Sequence, residues 1–313
     1  MNPAFSIVAF TTLSGSAQGL VVVLALASLL GVAPPPGFVA GSLGLAVLLL
    51  LAALGSSFLH LGHKLRAWRA VLMWRTSWMS REVIALPAFI ALVAAWGIAV
   101  ARGTGGPLVS VLLPVLAMLL AAVLWVCTAM IYACLRFVQE WAHPLTLVNY
   151  TLIGLSGGLV LAGAAGVVGG QPGFAAALGP WALLATLAAW ATRVAALRRN
   201  ARLKPRSTLQ SATGIQAPRL VQTSMGLTAG SFNTREFFHR ATLAGLKRIR
   251  LGFLVFGFAV PAVLLACALA AGPAAGAAWL VAVPLQTLGI LAERWFFFAQ
   301  ARHPQNLYYQ VVS

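Results

Sequence analysis

Long uncharged apolar runs alternate along this chain with short connections that are polar and mostly basic. A helix needs about 20 apolar residues to cross a bilayer, and eight runs qualify: residues 5–30, 38–60, 82–100, 108–134, 145–168, 175–197, 250–270 and 276–298. Two of these boundaries follow from length. Pro144 to Thr192 carries no charge and is too long for one crossing, so Gly169-Gly170-Gln171-Pro172-Gly173 is read as a tight turn. Leu251 to Ala292 is divided in the same way at Ala271-Gly272-Pro273. The first run lacks a basic segment before it and a small-x-small cleavage site after it, so it reads as a retained span. The pattern predicts an all-α, polytopic integral membrane protein, with residues 1–313 forming a single transmembrane domain of eight helices.

Composition agrees with this reading. A chain of 313 residues that is 61% hydrophobic and 8% charged is not an ordinary soluble domain. The excess of 21 Lys+Arg over 4 Asp+Glu would point to nucleic acid in a soluble protein. Here the basic residues fall between apolar runs, where they act as topology signals and contact lipid headgroups. With the N-terminus in the cytoplasm, residues 61–81, 135–144, 198–249 and the C-terminal tail lie inside and hold nearly all Lys and Arg, while the outer connections hold only Arg102. Both termini are therefore expected on the cytoplasmic side. Segment 198–249 is an extended basic connection that cannot bury a core of its own and would gain order against lipid or a partner. Cys127, Cys134 and Cys267 have no metal-binding spacing and read as packing residues.

Candidate chemistry gathers where the second run ends, at Ser57-Phe58-Leu59-His60-Leu61-Gly62-His63-Lys64-Leu65-Arg66-Ala67-Trp68. Lys64 stands one helical turn after His60, and Arg66 and Trp68 follow. The result is a donor-rich rim on an apolar shaft, suited to the carbonyl oxygens and protons of a quinone. A helix cap or a headgroup contact is the other reading of His60. Glu82 opens the next run after Ser77-Trp78-Met79-Ser80-Arg81, with Ser80 as the expected cap. It is either a proton acceptor facing His60, with Trp78 beside it, or a capping residue paired with Arg81.

The four carboxylates are Glu82, Glu140, Glu236 and Glu293, each beside an aromatic or an arginine. Ser231 to Arg240 looks like a helix start in which Glu236 reaches His239 and Arg240. Together with Glu293-Arg294-Trp295 and Glu140-Trp141-Ala142-His143-Pro144, it completes a positive collar; clamping of helix ends is the other role for these groups. Trp68, Arg69, Arg235, Glu236, His239, Glu293 and Arg294 are the expected docking residues for a partner protein.

Other chemistries lack their residues. His60, His63, His143, His239 and His303 fall at or beyond helix ends, which argues against haem in this chain. There is no phosphate-binding loop, dinucleotide fingerprint or HExxH. Alternating-access carriers place polar groups near mid-membrane, whereas here they crowd one surface. Pro87, Pro114, Pro261 and Pro284 are possible kinks, and they keep a small-molecule transporter open as an alternative.

These residues resemble the membrane anchor subunits of the dimethyl sulfoxide reductase type, within the complex iron–sulfur molybdoenzyme group. The matching elements are His60-Leu61-Gly62, Arg66-Ala67 and Ser80-x-Glu82, set in eight spans that cover the whole chain. The resemblance implies a haem-free anchor that exchanges electrons between ubiquinone or menaquinone and an iron–sulfur subunit with four [4Fe-4S] clusters. That subunit in turn serves a molybdopterin catalytic subunit, which holds molybdenum bis(pyranopterin guanine dinucleotide). It also implies that His60 and Glu82 serve quinone binding and proton handling. In the dimethyl sulfoxide reductase case the histidine motif faces the periplasm, while charge asymmetry here places it in the cytoplasm. That orientation is similar to the sulfite dehydrogenase branch, which implies oxidation of sulfite to sulfate with reduction of quinone in the bacterial inner membrane. The quinol-oxidising, dimethyl sulfoxide reductase-type anchor is the alternative. Protons taken up on the face where electrons arrive would move little charge across the bilayer.

Overall fold

The structure is a computed structural model that describes residues 1–59, 61–221, 223, 239, 241–272, 275–304 and 307. Eight helices are long and apolar enough to cross a membrane: α1 Phe5–Leu29, α2 Pro36–Leu59, α3 Trp78–Ala101, α4 Leu108–Ala133, α5 Pro144–Val168, α6 Pro172–Ala201, α8 Leu243–Ala271 and α9 Gly276–Ala299. A 3-10 helix, Lys64–Met73, precedes α3, and a five-residue α7, Leu209–Thr213, follows α6. No strand occurs among the described residues. The protein is an all-α, multi-pass membrane protein.

Local chemistry sets the helix limits. Pro144 and Pro172 occupy first-turn positions, where a missing N–H costs nothing. His143 caps α5 through Nδ1, which accepts from the Leu145 amide at 3.1 Å. Gly170, at φ 67°, makes the left-handed turn that separates α5 from α6, as the sequence predicts. Three boundaries differ from expectation. Helix α3 begins at Trp78, because Ser77 rather than Ser80 is the cap: its Oγ accepts from the Ser80 amide at 3.3 Å. Helix α6 runs on to Ala201, with Arg198 and Arg199 in its last turn, where cations favour the helix dipole. Helix α8 begins at Leu243 behind a Thr242 cap, so Lys247, Arg248 and Arg250 ride on its first turns.

Proline also explains two irregularities. Helix α4 opens with a π-helical turn, Leu108–Leu112, and α8 contains another, Val255–Ala259. Each ends two residues before a proline, Pro114 or Pro261, whose ring and missing N–H disturb the preceding turn.

The helices pack as two sets of four. In one, α1 to α4 neighbour one another in order and α4 closes back on α1; in the other, α5, α6, α8 and α9 do the same. The sets meet chiefly where α1 lies against α5, the two most buried spans. Glycines allow that approach: a Cβ at Gly19 would stand 2.9 Å from the Gly158 Cα, and one at Gly154 would stand 2.9 Å from the Gly15 carbonyl oxygen. One end of the bundle gathers the starts of α1, α3, α5 and α8 and the ends of α2, α4, α6 and α9. The basic connections emerge at this end; Arg102 lies at the other.

A buried charged layer at the basic end

Because α3 starts at Trp78, Glu82 lies one turn inside the bundle and is 8% exposed. Thr128 on α4 donates its hydroxyl hydrogen to the Glu82 carboxylate. Both residues sit within a turn or two of the basic ends of their helices, so the carboxylate–hydroxyl pair lies just below that boundary.

A second charged group lies in the other set of helices. On α9, Glu293 is fully buried between two arginines, 2.6 Å from Arg193 Nε of α6 and 3.4 Å from an Arg294 guanidinium nitrogen. The Arg294 guanidinium also lies over the Tyr150 ring at 3.9 Å, and that of Arg193 lies 5.6 Å from the Phe253 ring. These cation–π contacts supply attraction where water is excluded. Tyr150 stacks on Tyr132 at 5.8 Å, inside an aromatic cluster with Trp141, Phe297 and Phe298. The Trp141 indole donates to the Phe297 carbonyl at 3.0 Å, fixing the end of α9 against the α4–α5 connection. Seven residues along α9 from Glu293, Gln286 donates to Ser156 at 2.9 Å, and Ser156 lies 2.8 Å from the Thr186 hydroxyl. Polar side chains thus reach two helical turns deeper than the surface crowding expected from sequence.

The expected collar divides between surface and interior. Lys64, Arg66, Trp68 and Arg69 are exposed on the 3-10 helix, which buries none of its residues, and Glu82 is bonded within the bundle instead. Trp78 is half-buried beneath the Arg81 guanidinium at 4.2 Å. Arg81 does not pair with Glu82 but donates to the carbonyls of Trp74 and Arg75, at 2.9 and 2.7 Å. Glu293 and Arg294, expected at a docking surface, are interior residues, since their neighbours on α5 and α6 cover them. His239 is buried too; its Nδ1 accepts from the Ala241 amide, and its ring lies 6.2 Å from that of Trp295. His60, Arg235 and Glu236 lie outside the described residues.

Sequence reasoning passed over Thr128, Arg193 and Tyr150. Arg193 carried a usable signal, standing more than a turn inside the Arg198-Arg199 helix end; Thr128 carried none, being one hydroxyl in an apolar run. At the mouth of α5, burial and the nearby Arg199 guanidinium hold His143 below its ordinary value, so it caps as the neutral imidazole. Among the described residues, no group of three or more His, Cys, Asp or Glu is placed to hold a metal ion.

Residues 1–298 match the model of a family described as the DMSO reductase anchor subunit (DmsC). The chain is 46% identical over 329 aligned positions to the C subunit of the sulfite dehydrogenase of Allochromatium vinosum, with the alignment covering 100% of each. No solved structure matches it.

Proposed function

The chain belongs to the DMSO reductase anchor subunit family, and from that premise we propose that it holds a sulfite-oxidising molybdenum enzyme on the bacterial inner membrane and delivers its electrons to quinone. The observation that carries the substrate is the full-length identity to the C subunit of a sulfite dehydrogenase. The partners are an iron–sulfur subunit with four [4Fe-4S] clusters and a molybdopterin catalytic subunit with molybdenum bis(pyranopterin guanine dinucleotide). They dock on the basic end, which faces the cytoplasm together with both termini. The whole chain acts as one transmembrane domain, with 198–249 as its basic cytoplasmic connection.

A quinone, ubiquinone or menaquinone, supplies the two-electron, two-proton chemistry. The residues at the mouth of α3 fit such a group, because a buried carboxyl with a single hydroxyl donor can hold or release a proton where water is scarce. Glu82 carries the proton and Thr128 orients it. Lys64 and Arg66, exposed on the 3-10 helix that leads into α3, offer cationic donors suited to carbonyl oxygens, and the family resemblance adds His60 to them. Trp78, under Arg81, walls the mouth.

The family name favours a second reading, in which the anchor oxidises quinol to feed a reductase. Purification of the complex from native membranes separates the two. Sulfite-dependent quinone reduction, with molybdenum and iron co-purifying and with turnover lost in Glu82→Gln, is the expected result. Quinol-dependent reduction of a sulfoxide without sulfite activity would establish the second reading, and absence of both metals would overturn both.

A further inference from the structure

Helices α8 and α9 part on the outer side of the bundle and leave an apolar groove of about 340 Å3 between them, lined by Ile249, Gly252, Phe256, Leu288, Gly289 and Ala292 among others. Two glycines shape it. A Cβ at Gly289 would overlap the Gly257 backbone, so the helices touch there with no side chain between them, whereas a Cβ at Gly252 would meet nothing within 4 Å. Phe256 on α8 and Leu288 on α9, 48 and 63% exposed, flank the opening, which therefore faces lipid.

The groove has a direction. Helix α8 enters the membrane from the basic end and α9 returns to it, so Ile249 and Ala292 mark the shallow end and Phe256 and Leu285 the deep end. These residues lie about 10 Å apart along each helix axis, against about 15 Å for the hydrocarbon depth of one leaflet. The slot thus follows the upper part of an acyl chain.

The shallow end is basic. Lys247, Arg248 and Arg250 are exposed on the first turns of α8, where the helix dipole is already positive, and no acidic residue offsets them in the first turn. The ion pairs among the described residues all involve Glu293, which is turned inward to Arg193 and Arg294. Arg248 stands one helical turn before Gly252 on the same side of α8, and side chains on a helix lean toward its amino end, which sets Arg248 over the mouth of the groove. On α9, Trp295 follows one turn after Ala292 and is half-buried, at the level where tryptophan meets lipid headgroups. A cationic mouth above an apolar slot is complementary to a lipid whose headgroup is negative.

We propose that the groove between α8 and α9 is a binding site for an anionic phospholipid, with Arg248 at the phosphate and one acyl chain lying along Gly252 and Gly289. The lipid supplies the negative charge that this helix start lacks and fills the gap that the two glycines leave. The site stands apart from the quinone reading, because it lies in the other set of four helices and its occupancy needs no turnover.

The test uses the whole complex reconstituted in bilayers, with phosphatidylglycerol or phosphatidylcholine carrying a photoreactive group on an acyl chain. Trypsin cleavage after Arg250 and Arg294 releases the peptide 251–294, which holds most of the groove from both helices. In the parent, phosphatidylglycerol should label this peptide in preference to phosphatidylcholine. Arg248→Gln should lower that preference roughly fivefold, the weight of one basic side chain near a lipid surface, and Arg248→Lys should keep most of it. Gly252→Leu fills the slot without meeting a neighbour and should lower phosphatidylglycerol labelling at least as far in a complex that still assembles. Arg102→Gln, at the opposite end, should change neither. Unchanged preference in Arg248→Gln overturns the proposal, and so does unchanged labelling in Gly252→Leu. A quinone tail is the competing occupant: loss of bound quinone in Gly252→Leu, with phosphatidylglycerol labelling intact, would assign the groove to it and likewise overturn the lipid site. Should Gly252→Leu not accumulate, Arg248→Gln, altered only at an exposed side chain, decides the matter.

Discussion

Thr128 on α4 gives its hydroxyl hydrogen to the carboxylate of Glu82 on α3, linking two helices through the one buried acidic group in their half of the bundle. A hydrogen bond to a charged partner contributes about 1.5–3 kcal/mol, and leaving the partner unsatisfied in a buried site costs at least as much. Thr128→Val keeps the shape and removes the donor. Quinone-coupled turnover is expected to fall by roughly 10- to 100-fold, with the complex still assembled, and Thr128→Ser should keep most of the activity. Steady-state assays on purified complexes check this, and equal activity in the valine and serine variants would remove the role given to Thr128.

The contact between α1 and α5 makes a separate prediction about assembly. A Cβ on Gly158 would overlap the backbone around Gly19, and neither helix can retreat without opening the interface that joins the two sets of four. Gly158→Ala should lower the yield of folded protein in membranes several-fold, in line with overpacking costs of about 1–3 kcal/mol. Gly41→Ala on α2, where an added Cβ meets nothing within 4 Å, should leave it unchanged. Fluorescence-detected size exclusion of the two variants reads the difference.

The eight spans were legible because a bilayer imposes a length and an apolar composition that one sequence displays in full. The Gly170 turn and the Pro144 start followed from residues whose backbone preferences are local. Glu82 was legible as a functional residue because a carboxylate beside an apolar run is costly wherever it points. Its depth was not, since that turned on whether Ser77 or Ser80 begins the helix, and either serine can cap. Arg193, Glu293 and Arg294 illustrate a different limit. Near a helix end a long charged side chain can bend outward to water or inward to a partner, and only the packing of α5, α6 and α9 decides between them. The pairing of Thr128 with Glu82 spans 46 residues, and no local pattern encodes it.

His143 gives a pH dependence with a defined sign. Its Nδ1 must be unprotonated to accept from the Leu145 amide, and burial, then Arg199, lowers its proton affinity in the folded protein from the ordinary value of 6.5. A lowered value means that the unfolded chain binds the proton first. The cap's contribution is therefore complete above pH 6.5 and is lost as the pH falls below it toward the lower folded value. Thermal unfolding in nanodiscs should show the parent losing stability between pH 7 and pH 5.5. His143→Asn, which caps without titrating, should lose less over the same interval. Parallel curves for the two proteins would count against this assignment.

The orientation of the bundle can be read from a native cysteine. Cys134 is exposed just past the end of α4 at the basic end, whereas Cys127 is buried inside α4 and Cys267 lies within the apolar α8. The excess of Lys and Arg at that end favours the cytoplasmic side, because translocating positive charge during insertion is disfavoured. In intact cells expressing this chain alone, a membrane-impermeant thiol reagent should therefore leave Cys134 unmodified, and should modify it after permeabilisation. Arg102→Cys, in the connection at the opposite end, should react in intact cells. The reverse pattern would place the basic end outside the cytoplasm, and with it the docking surface for the iron–sulfur and catalytic subunits. A sulfite-oxidising partner in the cytoplasm would then have no face of this bundle to bind.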